Sequence, residues 1–194
     1  MKMDCLDAAG YELAILGAML SKGKVNYWML KDEEGVDKEL KERADKLAEK
    51  LSGADGGHNK FLEQMQYWIV IDAPLYWWKQ FDTYRIGVSK SSESTMYKMW
   101  KGGLVQEDFE KPVYEETLEK LNKSIKKYNE EPSEELFMEI ITNLPDGFLQ
   151  TRLVNINAKA LRNIYQQRHA HKLQEWRDFC KFIKTLPYGF LITA

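Results

Sequence analysis

The sequence is poor in cysteine and histidine, has no long apolar run, and carries almost no net charge. Its two cysteines, Cys5 and Cys180, form no CxxC pair, and no secretory signal is recognised, so we expect a reducing, cytoplasmic location without disulfides. Three histidines without neighbouring cysteines or patterned carboxylates do not predict a metal site. The longest apolar run near the N-terminus, 13–20, is too short to span a bilayer, so we expect no membrane association.

The charge balance excludes further classes of partner. A formal net charge of −2 over 194 residues gives no bulk attraction to nucleic acid or to an anionic membrane surface. The content of 44% apolar and 30% charged residues is typical of a soluble globular protein. A chain of this length predicts a single domain, 1–194, or one domain with a helical appendage.

Aromatic residues are abundant, at 12% of the chain. Many of them lie between Tyr67 and Tyr84, in the segment YWIVIDAPLYWWKQFDTY. Such clusters usually form a protein core or a subunit interface, and less often a stacking surface for a flat ligand. Both interpretations stay open for Trp77, Trp78 and Tyr84. The aromatic density of so short a chain also favours a homo-oligomer.

Local patterns predict both helices and strands. β-Branched and aromatic residues predict a strand at 67–72, interrupted by Pro74, and an extended segment at 148–155. The segment 75–81 is compatible with an extended or a helical conformation, and the polar run 89–95 predicts a loop. Helical spacing predicts a helix after Ser133, the start of one at 61–66, and helices at 11–20, 37–51, 114–128, 157–167 and 171–184. We therefore expect an α/β (α+β) fold with a mostly antiparallel sheet covered by helices.

The most informative stretch is 157–176, NAKALRNIYQQRHAHKLQEW. Leu161, Ile164 and Tyr165 form an apolar stripe at helical spacing, and Arg168 continues this stripe. A guanidinium on an inward face requires groups that accept its hydrogen bonds. Either a buried carboxylate or a ligand would supply them, and the spacing alone leaves this choice open.

The same stretch resembles the C-terminal part of the flavin-dependent thymidylate synthases. That family shows Leu-Pro, then Asn-Ala-Arg-x-Leu, an Asn two residues on, an Arg five further, and a Gln-Trp-Glu-like helix. This chain shows Leu144-Pro145, Asn157-Ala158-Lys159-Ala160-Leu161, Asn163, Arg168 and Gln174-Glu175-Trp176. In the family the two asparagines contact the flavin and the arginine holds the pyrimidine of dUMP.

The upstream part of the resemblance is eroded. His58 stands where the family has a histidine near the flavin, and Gln80 follows Ala73-Pro74 as in the family. The family's signature begins Arg-His-Arg, and Thr83-Tyr84-Arg85 replaces those residues here. Ser94 matches a serine of that signature, while Met96 stands where the signature has its last arginine.

A second phosphate-binding arginine of the family is replaced by Ile141. The loss of two arginines should weaken a phosphate site by several kcal/mol, at ~1.5–3 kcal/mol for each charged hydrogen bond. Lys90, Lys98 or Arg152 could compensate for this loss, and the sequence does not choose among them.

The resemblance implies an α/β subunit of a homotetramer that methylates dUMP with FAD, NADPH and methylenetetrahydrofolate. Within about 56–184, it implies cofactor contacts from His58, Arg85, Asn157 and Asn163, and substrate contacts from Gln80, Ser94 and Arg168. It requires no nucleophilic side chain, because the flavin carries the chemistry, and the catalytic residues stay unassigned.

Several of these residues also have a purely structural interpretation. His58 follows Gly56-Gly57 and is compatible with an exposed loop histidine, while Asn157 is compatible with a helix N-cap. Asn157 and Asn163 are six residues apart, so on an ideal helix they point ~120° apart and would contact different parts of a ligand. Three functions stay open: a divergent flavin-dependent nucleotide methyltransferase, a nucleotide-binding protein of the same fold and of viral origin, and a structural oligomer.

Overall fold

The structure is a computed structural model that describes residues 1–20, 23, 25, 38–54, 57–95 and 102–194. The predicted contributions of Met96 and Lys98, and the proposed helix start at Asp37, lie outside the described residues. The strands of the described part are β1 (Lys2–Ala9), β2 (Gln66–Pro74), β3 (Val88–Ser92) and β4 (Leu149–Asn157). Its α-helices are α1 (Tyr11–Leu20), α2 (Lys38–Ser52), α3 (Leu75–Phe81), α4 (Glu115–Glu130), α5 (Glu134–Asn143), α6 (Ala158–Arg168), α7 (Gln174–Thr185) and α8 (Gly189–Thr193). Short 3₁₀ helices cover Lys60–Glu63 and Gln106–Asp108.

The four strands form one antiparallel sheet in the order β1-β2-β4-β3, so the predicted α/β class and the mostly antiparallel sheet are confirmed. The predicted strand at 67–72 is β2, one of the two inner strands, along which buried and half-buried residues alternate. Pro74 ends β2 and occupies the N-cap position of α3, where a residue without an N–H is tolerated. The segment 75–81, compatible with either conformation, is helical.

The two edge strands are where sequence patterns failed. The loop predicted from the polar segment 89–95 is wrong for 89–92, which belong to β3. The pattern misled because an exposed edge strand needs no apolar face. β1 was not predicted either, and its leucine side chain, Leu6, is exposed. An edge strand takes its conformation from backbone bonds to one neighbour, so its side chains carry little of the signal.

The helix predictions agree better with the structure. The Ser133 hydroxyl accepts a hydrogen bond from the Leu136 N–H at 3.2 Å and caps α5 as predicted. The start predicted at 61–66 is the 3₁₀ helix Lys60–Glu63. Helix α8 was not predicted. No helix among the described residues is long and apolar enough to cross a membrane.

The chain divides into two compact units. Unit 1 comprises Met1–Met3, Val70–Thr83 and Lys90–Leu153. Its hydrophobic core joins the apolar faces of α4 and α5 to two phenylalanines: Leu104, Phe109, Leu118, Leu121, Ile125, Ile140 and Phe148. Trp77 and Trp78 are also fully buried, which favours the core interpretation of the aromatic cluster over a stacking surface.

Unit 2 comprises Asp4–Ile69, Tyr84–Ser89 and Val154–Ala194. Helices α6, α7 and α8 pack on one another, and the side chains that meet there are fully buried: Leu161, Ile164, Trp176, Phe179, Ile183 and Leu191. This rigid apolar packing fixes the direction of α6, whose polar side chains form the candidate site.

Candidate functional site

An open groove of about 410 Å³ runs beside the first two turns of α6 in unit 2. Most of the residues that line it are of polar type, and they come from α6 and its N-cap, from the turn before β3 and from the segment around the 3₁₀ helix Lys60–Glu63: Asn59, Glu63, Ile86, Asn157, Lys159, Ala160, Arg162, Asn163 and Gln166. Two of the predicted cofactor residues, Asn157 and Asn163, therefore line the same groove. Their ~120° separation on the helix places them at different points of its wall.

Asn157 is the N-cap of α6, and its Oδ1 accepts a hydrogen bond from the Ala160 N–H at 2.8 Å. The main-chain N–H of Asn157 donates to the carbonyl oxygen of Gly87 at 3.0 Å, and Gly87 has a left-handed φ of +70°. A side chain at Gly87 would overlap the amide of Asn157. The cap and the groove interpretations are compatible, because capping uses Oδ1 and leaves the Nδ2 amide as a donor.

Two cationic side chains line the groove. Lys159 Nζ donates to Oδ1 of Asn59, which is 1% exposed and is itself held by a bond from its Nδ2 to the Ser52 carbonyl oxygen at 3.3 Å. Arg162 is 5% exposed and donates from Nη1 to the Ile192 carbonyl oxygen at 3.4 Å. Among the described carboxylates, none pairs with either cation, and Glu63 is the carboxylate that lines the groove.

Sequence reasoning missed Arg162. The helical stripe drew attention to Arg168, yet Arg162 is the more deeply buried guanidinium. A signal was present, because Arg162 lies four residues after the buried Ala158 and therefore on the same face of α6. A buried guanidinium needs acceptors for five N–H groups, so this position favours an anionic or carbonyl-rich ligand.

Arg168 lies at the last turn of α6 and is half-buried. Its guanidinium carbon is 4.8 Å from the centroid of the Trp176 ring and 5.6 Å from that of Tyr84. Its Nε donates to the Tyr84 hydroxyl at 2.8 Å. In the described part of the chain no carboxylate pairs with Arg168, so the buried ion pair weighed from the sequence is not found there.

The other residues near Arg168 also shape its electrostatics. The ring centroids of His171 and Trp176 are 6.3 Å apart, and His171 Nδ1 accepts a hydrogen bond from the Leu173 N–H. Burial and then the positive charge of Arg168 lower the pKa of His171 below its ordinary value. The positive charge around the His171 ring therefore comes from Arg168, Lys172 and Arg177 and not from the imidazole.

His58 and Arg85 also belong to unit 2. His58 lies in the turn before the 3₁₀ helix Lys60–Glu63, and Arg85 lies in the turn before β3. Both side chains are exposed, and neither is among the residues that line the groove. Their predicted roles in cofactor binding stay predictions.

Gln80 and Ser94 belong to unit 1. Gln80 lies in the last turn of α3, where its carbonyl oxygen accepts from the Thr83 hydroxyl at 2.7 Å, and Ser94 is exposed just after β3. Their predicted contacts with a nucleotide stay predictions as well.

Unit 1 also holds an ion cluster that involves two of the residues considered as replacements for the lost arginines. Asp82 accepts hydrogen bonds from Lys90 at 2.7 Å and from Arg152 at 2.9 and 3.1 Å. Arg152 further packs its guanidinium 4.3 Å from the ring centroid of Trp78. Burial raises the pKa of Asp82, but the bonds from Lys90 and Arg152 outweigh it, so the net pKa is lowered.

The side chains of the groove are suited to binding a ligand. The groove supplies amide, ammonium and guanidinium N–H donors, which fit a ligand rich in acceptors and negative charge. No group of three His, Cys, Asp or Glu residues that could hold a metal is found in the described ranges.

Comparison with known proteins places the chain in a family. A family described as "Thymidylate synthase complementing protein" matches residues 15–186, and the chain belongs to it. Curated protein sequences offer no match.

Two solved structures share the fold over the whole chain. One is the flavin-dependent thymidylate synthase ThyX from Helicobacter pylori complexed with FAD and dUMP, with a TM-score of 0.77, 17% identity, and coverage of 100% of this chain and 98% of that one. The other is Thymidylate Synthase X from the same organism with FAD and dUMP, with a TM-score of 0.77, 16% identity and the same coverage. The resemblance seen in the C-terminal segment is thus confirmed at the level of family and fold.

Proposed function

We propose that this protein is a divergent flavin-dependent thymidylate synthase that binds FAD and a pyrimidine nucleotide and methylates the nucleotide. The observation that carries the proposal is helix α6, which presents Asn157 and Asn163 to one groove and ends at Arg168, a guanidinium without a described carboxylate partner. Family membership and the shared fold support it, since the two Helicobacter pylori proteins were obtained with FAD and dUMP.

The groove residues fit part of a flavin dinucleotide. A volume of about 410 Å³ suits one end of such a ligand. The diphosphate, the ribityl hydroxyls and the carbonyls of FAD are acceptors that match the amide donors of Asn157 and Asn163 and the charges of Lys159 and Arg162. When bound, FAD would supply the hydride chemistry, with NADPH and methylenetetrahydrofolate as the further reactants.

The protein groups then bind and orient. We assign Arg168 to the pyrimidine, because Nε is held by Tyr84 and, among the described residues, no hydrogen bond uses the four Nη–H donors, which suit carbonyl or ring acceptors. Gln80 and Ser94 are proposed nucleotide contacts, and His58 and Arg85 are proposed cofactor contacts. We propose a single domain, 1–194, in which the binding part spans about 56–184.

We also propose a cytoplasmic homotetramer. The large apolar side chains that unit 2 exposes include Leu6, Leu13 and Phe190, which a partner subunit would cover. Light scattering at micromolar concentration measures the assembly, and a monodisperse monomer would contradict it.

A second candidate is a nucleotide-binding protein of the same fold, of viral origin, that does not turn the nucleotide over. The replacement of Arg-His-Arg by Thr83-Tyr84-Arg85 and the Ile141 substitution favour this alternative, because a weakened phosphate site lowers the occupancy of a productive complex.

Identification of the small molecules released from purified, denatured protein tests both candidates. Bound flavin that NADPH reduces, with transfer of a methyl group to dUMP, supports the enzyme. Bound nucleotide without flavin supports the second candidate. If FAD, dUMP and other nucleotides all fail to bind below millimolar concentration, both candidates are wrong and a structural oligomer is left.

A further inference from the structure

A chain of three hydrogen bonds joins Arg168 to the groove within unit 2. Arg168 Nε donates to the Tyr84 hydroxyl at 2.8 Å, the Tyr84 hydroxyl donates to Gln167 Oε1 at 2.9 Å, and Gln167 Nε2 donates to Asn163 Oδ1 at 2.9 Å. At one end of this series of bonds is Arg168, the residue proposed to bind the pyrimidine. At the other end is Asn163, which lines the proposed flavin groove. Tyr84 is the one member that lies outside α6.

The direction of these bonds is fixed by Arg168. A guanidinium has no acceptor, so it can only donate to the Tyr84 oxygen. The single hydroxyl proton of Tyr84 is then directed to Gln167, whose amide must turn Oε1 toward Tyr84 and Nε2 toward Asn163. Asn163 in turn offers Oδ1 to Gln167, which leaves its Nδ2 hydrogens for the groove.

The surroundings hold Tyr84 in this position. Tyr84 is 9% exposed, and its ring meets the edge of Trp176 with centroids 6.0 Å apart. Arg168 packs over the same indole, so ring and guanidinium are both aligned by Trp176. Tyr84 stands where the resemblance has a histidine. A histidine carries its two polar nitrogens at separate ring positions, whereas one tyrosine oxygen serves both partners.

We propose that Tyr84 is a positioning residue that orients Arg168 and, through Gln167, makes Asn163 a hydrogen-bond donor, so that the pyrimidine and flavin sites are energetically coupled. The ligand in the groove must then offer Asn163 an acceptor, such as a carbonyl oxygen or an unprotonated ring nitrogen. This inference rests on the proposed function. Coupling between two ligands is reciprocal, so each ligand should tighten the other by the same factor.

The test measures FAD affinity by flavin fluorescence quenching, with and without saturating dUMP. For the natural sequence we expect dUMP to tighten FAD binding by about five-fold or more. Tyr84→Phe keeps the ring against Trp176 but removes the hydroxyl, and it should bring the factor close to one. Tyr165→Phe is the matched control, since it removes a hydroxyl from the same unit outside the chain of bonds, and it should leave the factor unchanged.

Two further variants test the Asn163 end of this series of bonds separately from the Arg168 end. Gln167→Glu still accepts from Tyr84 but has no donor for Asn163, so it should weaken FAD binding while dUMP affinity stays within about two-fold. Asn163→Asp replaces the donor in the groove by a charged acceptor and should abolish FAD binding with dUMP affinity retained.

A readout without ligand shows whether the bonds themselves exist. The exchange of the Arg168 Nε–H with solvent, followed by NMR, should be slow in the natural sequence and fast in Tyr84→Phe. If both ligands bind and Tyr84→Phe keeps the full coupling factor, the inference is overturned and the proposed function stands. If the natural protein binds neither ligand, the proposed function is overturned and the coupling with it. Fast exchange of this N–H in the natural protein would also overturn the inference.

Discussion

Replacement of Arg168 by alanine tests whether this residue, which matches an arginine of the family's C-terminal motif, serves ligand binding or the stability of the fold. The contacts to be lost are a hydrogen bond to the Tyr84 hydroxyl and the packing of the guanidinium over Trp176. A hydrogen bond from a charged group contributes about 1.5 kcal/mol, and a half-buried cation over an indole about 0.5–1 kcal/mol. The expected loss in the free energy of unfolding is therefore roughly 2 kcal/mol, or about 4–8 °C in Tm.

The alternative, a buried ion pair, predicts a larger loss. Truncation of one partner of such a pair strands the other charge and costs about 3–5 kcal/mol. Because the described carboxylates do not pair with Arg168, alanine strands no charge and the smaller value applies. Ligand binding should respond more strongly, since loss of a bidentate charged contact of about 3 kcal/mol weakens the affinity for dUMP roughly a hundred-fold.

Two measurements decide the matter: a thermal melt without ligand and calorimetric titration with dUMP. Arg43→Ala is a suitable control, because Arg43 makes an exposed ion pair with Glu39 on α2. Arg168→Lys keeps the charge but loses the fork and Nε, so it should recover little of the affinity. A fall in stability of about 4 kcal/mol or more, with unchanged dUMP affinity in the folded fraction, would refute the assignment of Arg168 to the nucleotide.

Three further changes test other parts of the molecule. Arg162→Met removes a buried guanidinium that pairs with no carboxylate among the described residues, so a thermal melt should show equal or higher stability while FAD affinity falls about ten-fold or more. A strong loss of stability would contradict a role of Arg162 in ligand binding. Gly87→Ala requires a left-handed alanine and a displaced Asn157, so denaturant unfolding should show a loss of about 2 kcal/mol or more, and an unchanged midpoint would argue against this geometry. The pKa of Asp82 is lowered in the folded protein, so its carboxylate stabilises the fold at pH values above its ordinary pKa of about 3.9, and this stabilisation is lost as the pH falls through the folded-state pKa. Asp82→Asn should therefore flatten the acidic part of the curve of stability against pH, which urea unfolding from about pH 7 to about pH 3 measures.

Short-range features of the fold could be predicted from the sequence. The Ser133 cap, the inner strand β2 and the helices of the C-terminal half rest on spacings of two to four residues, which periodicity and capping rules detect. The edge strand β3 was misjudged, because its polar side chains face solvent and its conformation depends on backbone pairing with β4.

The candidate site shows the same limit. Asn157 and Asn163 were found because they lie close together in a recognisable motif. Tyr84 was placed in an eroded signature and considered as a core or stacking ring, yet its hydroxyl meets Arg168 across 84 positions of the chain. Arg162 was passed over because the apolar stripe of α6 pointed to Arg168, while the small side chain of Ala158, which shares a face with Arg162, gave a weaker signal of burial.

The ion cluster of unit 1 leads to a last prediction about substrate choice. Lys90 and Arg152 already bond to Asp82, so a phosphate that approached them would exchange one anionic partner for another. Such an exchange gains far less than the several kcal/mol of a new arginine–phosphate fork. We therefore expect dUMP to bind no more than about ten-fold better than deoxyuridine in paired calorimetric titrations, a difference of about 1.4 kcal/mol. Asp82→Asn, which releases both cations, should widen this ratio by favouring dUMP. A preference for dUMP of a thousand-fold or more in the unmodified protein would show that another group binds the phosphate, and would contradict the weakened phosphate site inferred from the loss of the two arginines.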